Sequence, residues 1–180
     1  VELGAATAGT NYAPAMGLDT LASGDYATAM GQDTTASGSA STAMGSDTFA
    51  SGKYSTAMGR WSEASSEGST AMGIGIIASG LGATAMGAGA IASGDSATAM
   101  GSSPTATGYA ATSIGRYTTA SGLASIAMGY YTTASGHYST AMGDSAKATN
   151  DCTIAAGRNA IAGHTGSIVL TDGNDADVHS

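Results

Sequence analysis

Small and apolar residues return along this chain in columns fourteen positions apart. The pair Met-Gly opens at Met16-Gly17 and recurs at the same spacing, with Ile114 and Ala156 as the departures in the methionine column. The glycine column holds without exception at Gly17, Gly31, Gly45, Gly59, Gly73, Gly87, Gly101, Gly115, Gly129, Gly143 and Gly157. Half a period later comes Ala-Ser-Gly, as in Ala22-Ser23-Gly24 and Ala36-Ser37-Gly38, weakening in its third position to Ser66, Asn150 and His164. A repeat this strict sets the fold before anything else does. Helical repeats of this kind run to roughly 33 residues or more. A glycine at every seventh position would also cost a helix about 1 kcal/mol each. The pattern therefore predicts a coil of strand, corner, strand, corner, with glycine supplying positive φ at the corners. Asn150 fits that expectation as the next-best residue for a left-handed backbone. Stacked coils make the chain an all-β parallel solenoid.

Alternation within each strand assigns the faces. In Ala27-Thr28-Ala29-Met30, the two alanines share one face and Thr28 and Met30 the other. In Thr34-Thr35-Ala36-Ser37, Thr34 goes with Ala36. The uniform alanine columns belong inside, where two strands lie close. The mixed column of Leu21, Phe49, Glu63, Ile77 and Lys147 belongs in solvent. By the same alternation the methionine column points out of the coil, although it is uniformly apolar. It comprises Met16, Met30, Met44, Met58, Met72, Met86, Met100, Ile114, Met128 and Met142, with Leu170 falling in the same column at the end. Full burial stabilises by roughly 1.5–3 kcal/mol per such side chain. A stripe of this kind predicts a seam where chains pack side by side, with their number left open. The alternative is methionine filling an irregular gap inside each coil.

Composition and charge exclude several functions. The net charge is -8, and the basic residues Lys53, Arg60, Arg116, Lys147 and Arg158 are scattered. No basic stripe is present to neutralise phosphates, so neither nucleic acid nor an anionic membrane surface is expected as a partner. One cysteine, Cys152, rules out an internal disulfide framework. No secretory leader opens the chain, and no apolar run reaches membrane-spanning length. The sequence starts in mid-pattern at Val1, so an excerpt from a longer protein is expected.

No constellation for chemistry stands out, and no catalytic residue, metal or cofactor is expected. The glycines have a periodic explanation and no phosphate-binding Gly-Lys-[Ser/Thr] ending. His137, His164 and His179 show no metal-ligand spacing with Cys152. Asp19, Asp33 and Asp47 form a short acidic column, more simply read as solvated corners than as a cation site. The serines lack a local His–Asp partner. The feature above background is aromatic. Tyr109, Tyr117, Tyr130, Tyr131 and Tyr138 fall within three coils, beside Arg116 and His137. Tyrosine and arginine are favoured interface anchors, so Arg116, Tyr117, Tyr130, Tyr131, His137 and Tyr138 form the candidate ligand surface. The competing explanation is corner aromatics packing along the ladder.

The combined pattern Gly-x-x-[Ser/Thr]-x-Ala-x-Gly-x-x-[Ser/Ala]-x-Ala-[Met/Ile]-Gly resembles the head repeat of trimeric autotransporter adhesins, the YadA-like heads. The likeness runs from Ala13 to Gly166, and Ser125-Ile126-Ala127-Met128-Gly129 carries it well. Methionine stands where that family more often has Ile or Val. The resemblance implies a left-handed parallel β-roll and a homotrimer, with the methionine column as the trimer interface. It also implies a bacterial cell-surface location. The partners implied are host extracellular matrix, host cell-surface molecules or other bacterial surface proteins. The membrane anchor would lie in a C-terminal domain beyond Ser180. On this basis residues 1–12 are a lead-in, residues 13–166 are eleven head repeats, and residues 167–180 are a degenerate last coil and tail toward a neck. Asp172-Gly173-Asn174-Asp175 reads as a turn there.

Adhesion is therefore the leading expectation. A passive spacer in a surface fibre, an ice-binding solenoid and a phage tail-spike segment are the alternatives. Ice binding would need an outward column of near-pure threonine, and the mixed outward column argues against it. Polysaccharide-cleaving solenoids have longer coils and acidic clusters.

Overall fold

The computed structural model describes residues 7–8 and 11–172. The chain divides into two compact units, Val1–Gly89 and Ala90–Ser180, and each is a parallel β-solenoid. Every full coil of the first unit contributes a five-residue strand, such as Thr28–Gln32, Thr42–Ser46 and Thr56–Arg60. A two-residue strand follows each, such as Thr35–Ala36 and Phe49–Ala50. The long strands pair only with long strands and the short with short. The second unit repeats this with Thr112–Arg116, Ile126–Tyr130 and Thr140–Asp144 beside Thr119–Ala120 and Thr133–Ala134. Register is set by the repeat itself: Met30 faces Met44, Met72 faces Met86, and Gly115 faces Gly129.

The predicted faces are those observed. Ala27, Ala29 and Ala36 and their counterparts in successive coils are completely buried, while Thr28, Met30 and Thr35 point outward. Alanine fills most of these positions, with serine at Ser41 and Ser113 and valine at Val169. Where space is larger, threonine fills it, as at Thr34 and Thr48, and Ile76 is the largest side chain completely enclosed. Some of the buried hydroxyls bond locally, whereas those of Thr34 and Thr48 find no protein partner. Ser69 Oγ donates to Ser66 O at 2.7 Å, Ser139 Oγ to Gly136 O at 2.7 Å, and Ser113 and Thr118 share a buried hydroxyl bond of 2.7 Å.

The glycines need a more divided account than a corner residue with positive φ. The Met-Gly glycines do carry φ of about the same value, +127° at Gly45 for example, yet they lie inside the long strands. A Cβ on Gly45 would overlap Gly59 O and sit 2.8 Å from Gly59 C in the next coil. The other glycine column has no positive φ at all. Gly38 is required because a Cβ there would overlap Gly52 O and lie 2.9 Å from Ser51 O. The left-handed residues come two positions after each glycine and are mostly not glycine: Asp33 at 52° and Ala40 at 53° are typical. Asn150, expected in that conformation, does not adopt it; its side-chain amide donates to Gly163 O instead.

At the ends, the short-strand ladder already includes Thr7–Ala8, paired with Leu21–Ala22 and so ahead of Ala13. At the other end Ile168–Leu170 pairs with Ile154–Arg158, and Val169 is buried in an alanine column. The expected turn from Gly173 onward, the tail and His179 lie outside the described residues.

Candidate ligand surface and assembly face

Two outward surfaces carry the side chains singled out above. The first is the outer face of the long strands. In the first unit, Met16, Met30, Met44, Met58, Met72 and Met86 stack in register beside a column of threonines. In the second unit the column reads Met100, Ile114, Met128, Met142, Ala156 and Leu170. Neighbouring rungs cover each side chain in part, but Met100, Met128 and Met142 remain about 40 % exposed, and Leu170 more so. The gap-filling alternative is thereby excluded, because the space inside the coil is taken by alanine, serine and threonine.

The second surface is the turn after the long strands of the second unit. Arg116 ends Thr112–Arg116, and Tyr130 ends Ile126–Tyr130, directly opposite in register. Tyr117 and Tyr131 follow in the left-handed conformation, at φ 55° and 51°. That backbone is unusual for a bulky residue and costs roughly 1–2 kcal/mol. It also turns both rings outward, side by side. The Tyr117 and Tyr131 rings stack at 4.9 Å and 22°, and Tyr130 meets Tyr131 edge-on at 4.4 Å and 72°. Aromatic pairs of this kind return roughly 0.5–1.5 kcal/mol each, enough to offset much of the backbone cost. The Arg116 guanidinium lies 5.0 Å from the Tyr117 ring centre and 5.6 Å from that of Tyr130. A side-chain hydrogen bond to Tyr117 holds Arg116 above its ordinary pKa, with the charge interaction with Tyr117 and then Tyr130 adding to it. Desolvation by its neighbours pushes the Tyr131 hydroxyl upward, with Tyr130 the next cause.

The six candidate residues do not form one patch. Arg116, Tyr117, Tyr130 and Tyr131 come together, whereas His137 and Tyr138 lie on the other turn of the coil, as does Tyr109. His137 has a structural part there. Its Nδ1 accepts the Leu123 N–H of the preceding coil at 3.0 Å, and its own N–H donates to Asp151 Oδ1 at 2.8 Å. Side chains at this position thus serve backbone N–H groups that the ladder leaves over. We expect His137→Ala to speed amide exchange at Leu123 by about fivefold, the equivalent of one net hydrogen bond, while His137→Asp retains protection. Exchange measured by NMR checks this, and unchanged protection in His137→Ala would remove the assigned bond.

Sequence reasoning missed Asp144 and Arg158, which continue the register Arg116–Tyr130–Asp144–Arg158 along the same turn. The available signal was position: each directly follows a Met-Gly glycine or its equivalent. It also missed Arg60 and Trp61, which occupy the same two positions in the first unit, with the guanidinium 3.7 Å from the ring centre. The acidic column behaves as solvated corner residues: Asp33 accepts from Gln32 at 3.0 Å and Asp47 from Ser46 at 2.7 Å. No group of three metal-ligating side chains occurs among the described residues.

A parallel solenoid with 14-residue coils, an apolar outer stripe and aromatic corners defines a repeat scaffold. The model of the YadA head domain repeat matches residues 22–48, 50–75, 78–103, 106–132 and 134–160, and the chain belongs to that family. Each match spans about two coils, in phase with the structural repeat. YadA-like heads are extracellular surface parts of autotransporter adhesins, which gives this chain a surface adhesin-type role. Comparison with curated proteins finds no match.

Proposed function

We propose that this chain is the non-enzymatic head of a homotrimeric bacterial surface adhesin. It attaches the cell to host cells, to extracellular matrix or to other bacteria. The observation that carries the reading is the series of five YadA head matches between residues 22 and 160, in phase with the coils. The outward apolar stripe supports the trimer, because a second and third chain would cover side chains that one chain leaves wet. Membership of the YadA head family supports left-handed winding and anchorage through a C-terminal membrane domain as part of this reading. The Tyr117–Tyr130–Tyr131 corner is the surface proposed to engage the partner, since exposed tyrosines bring large contact area at little conformational cost.

Beads coated with the chain test this on cultured host cells, on matrix proteins and on each other. Attachment well above albumin-coated beads is expected. Tyr117→Ala, Tyr130→Ala and Tyr131→Ala combined should reduce it by about tenfold while leaving the oligomer intact, the scale of one lost hot spot. Attachment no better than albumin on every surface would leave the chain a spacer that lifts another head from the cell.

A further inference from the structure

All three arginines of the chain, Arg60, Arg116 and Arg158, stand at the same coil position, the residue directly after the Met-Gly glycine or its equivalent. This placement is notable in a chain of net charge -8. In the second unit, two of them flank Tyr130 and Asp144 on one ladder, beside the stacked rings of Tyr117 and Tyr131. We propose that this corner is a carbohydrate site selective for a pyranose bearing a carboxylate or sulfate, with Arg116 holding the anionic group and the exposed tyrosine faces carrying the sugar ring.

The chemistry matches point by point. A guanidinium lying against aromatic rings keeps its outer N–H groups free for a bidentate bond to a planar or tetrahedral oxyanion. Its contact with Tyr117 and Tyr130 fixes the fork, so less freedom is lost on binding. Tyr130 and Tyr131 are 40 % and 49 % exposed, which leaves apolar ring surface for the C–H face of a sugar. Asp144, the next rung, and Ser145, whose hydroxyl bonds it at 2.8 Å, supply acceptors for sugar hydroxyls. Arg158 stands one rung beyond and suits a second acidic residue along an oligosaccharide. The overall negative charge repels a polyanion elsewhere on the chain, so binding concentrates at this corner. A peptide fits less well. Its usual modes need a groove or an unpaired strand edge, and here Thr112–Arg116 and Ile126–Tyr130 are paired on both sides.

The inference rests on the adhesin reading, and the test separates the two. The probes are a heparin-derived tetrasaccharide, a tetragalacturonate and neutral cellotetraose, titrated into the full chain by calorimetry. Binding of at least one acidic probe is expected at least tenfold tighter than binding of cellotetraose. Arg116→Gln should abolish that preference, Tyr130→Ala should weaken binding about tenfold, and Lys147→Gln should change neither. Arg116→Lys should recover charge but not full affinity, because the fork is lost. Circular dichroism confirms that the coils persist in each variant. Equal binding of neutral and acidic probes, no binding of either acidic probe, or preference surviving Arg116→Gln would overturn the proposal. So would a glutamate-rich peptide that outcompetes both sugars. If the sugars fail while coated beads still attach, the site assignment falls and the adhesin reading stands.

Discussion

Gly45→Ala is expected to destabilise the first unit by about 4 kcal/mol or more, whereas Gly75→Ala should cost only about 1–2 kcal/mol. The two substitutions add the same methyl group two positions apart in the repeat. At Gly45, φ is +127°, a conformation that side chains avoid, and the new Cβ would overlap Gly59 O. The neighbouring coil cannot retreat, because its carbonyl belongs to Thr56–Arg60, a strand paired on both sides. Strain of this kind costs roughly 1–3 kcal/mol, and the overlap adds a comparable amount. At Gly75, φ is +64° and nothing lies within 4 Å of the added atom. Trp61, in the equivalent position one coil earlier, already adopts φ 53° with the largest of all side chains. Urea denaturation of the two variants reads the difference. Equal losses would mean that coil-to-coil approach is not what demands glycine in the Met-Gly column.

Met72→Asp combined with Met86→Asp should turn a trimer into folded monomers. Light scattering on the wild-type chain is expected to give three chains per particle, and the double variant one. Each methionine that such an assembly covers would contribute roughly 1.5–3 kcal/mol. Each aspartate placed there would instead bring an unpaired charge against the same residue of its partners, which is far costlier to bury. Met72 and Met86 are paired in register and point away from the alanine interior. The substitutions therefore leave the coil's own packing alone, and circular dichroism should not change. A wild-type monomer, or a double variant that stays trimeric, would place the assembly face elsewhere. These two predictions are complementary, since one breaks the coil and the other only separates the chains.

Much of this architecture could be taken from the sequence, because it depends on local periodicity. An inward alanine at Ala27 and Ala29 forces Thr28 and Met30 outward in any extended backbone, whatever surrounds it. A fourteen-residue period without insertion then fixes register, since each strand meets its own copy. The outward methionine column and the mixed Leu21–Phe49–Glu63 column followed from the same rule.

What a side chain does at a corner was decided only in three dimensions. Sequence proximity placed His137 and Tyr138 with Tyr130 and Tyr131, but a turn of the coil separates them. Register did the opposite for Asp144 and Arg158, bringing residues fourteen and more positions apart onto one ladder with Tyr130. The glycines show the same division. Their period was plain in the sequence, yet the reason for Gly38 was not a turn conformation but the carbonyl of Gly52 in the next coil. Sequence by itself determined the coil, its faces and its register, because a strand's alternation and a repeat's period are properties of neighbouring residues. The tertiary structure alone decided the corners and the aromatic site, because there the constraint is the distance between one coil and the next.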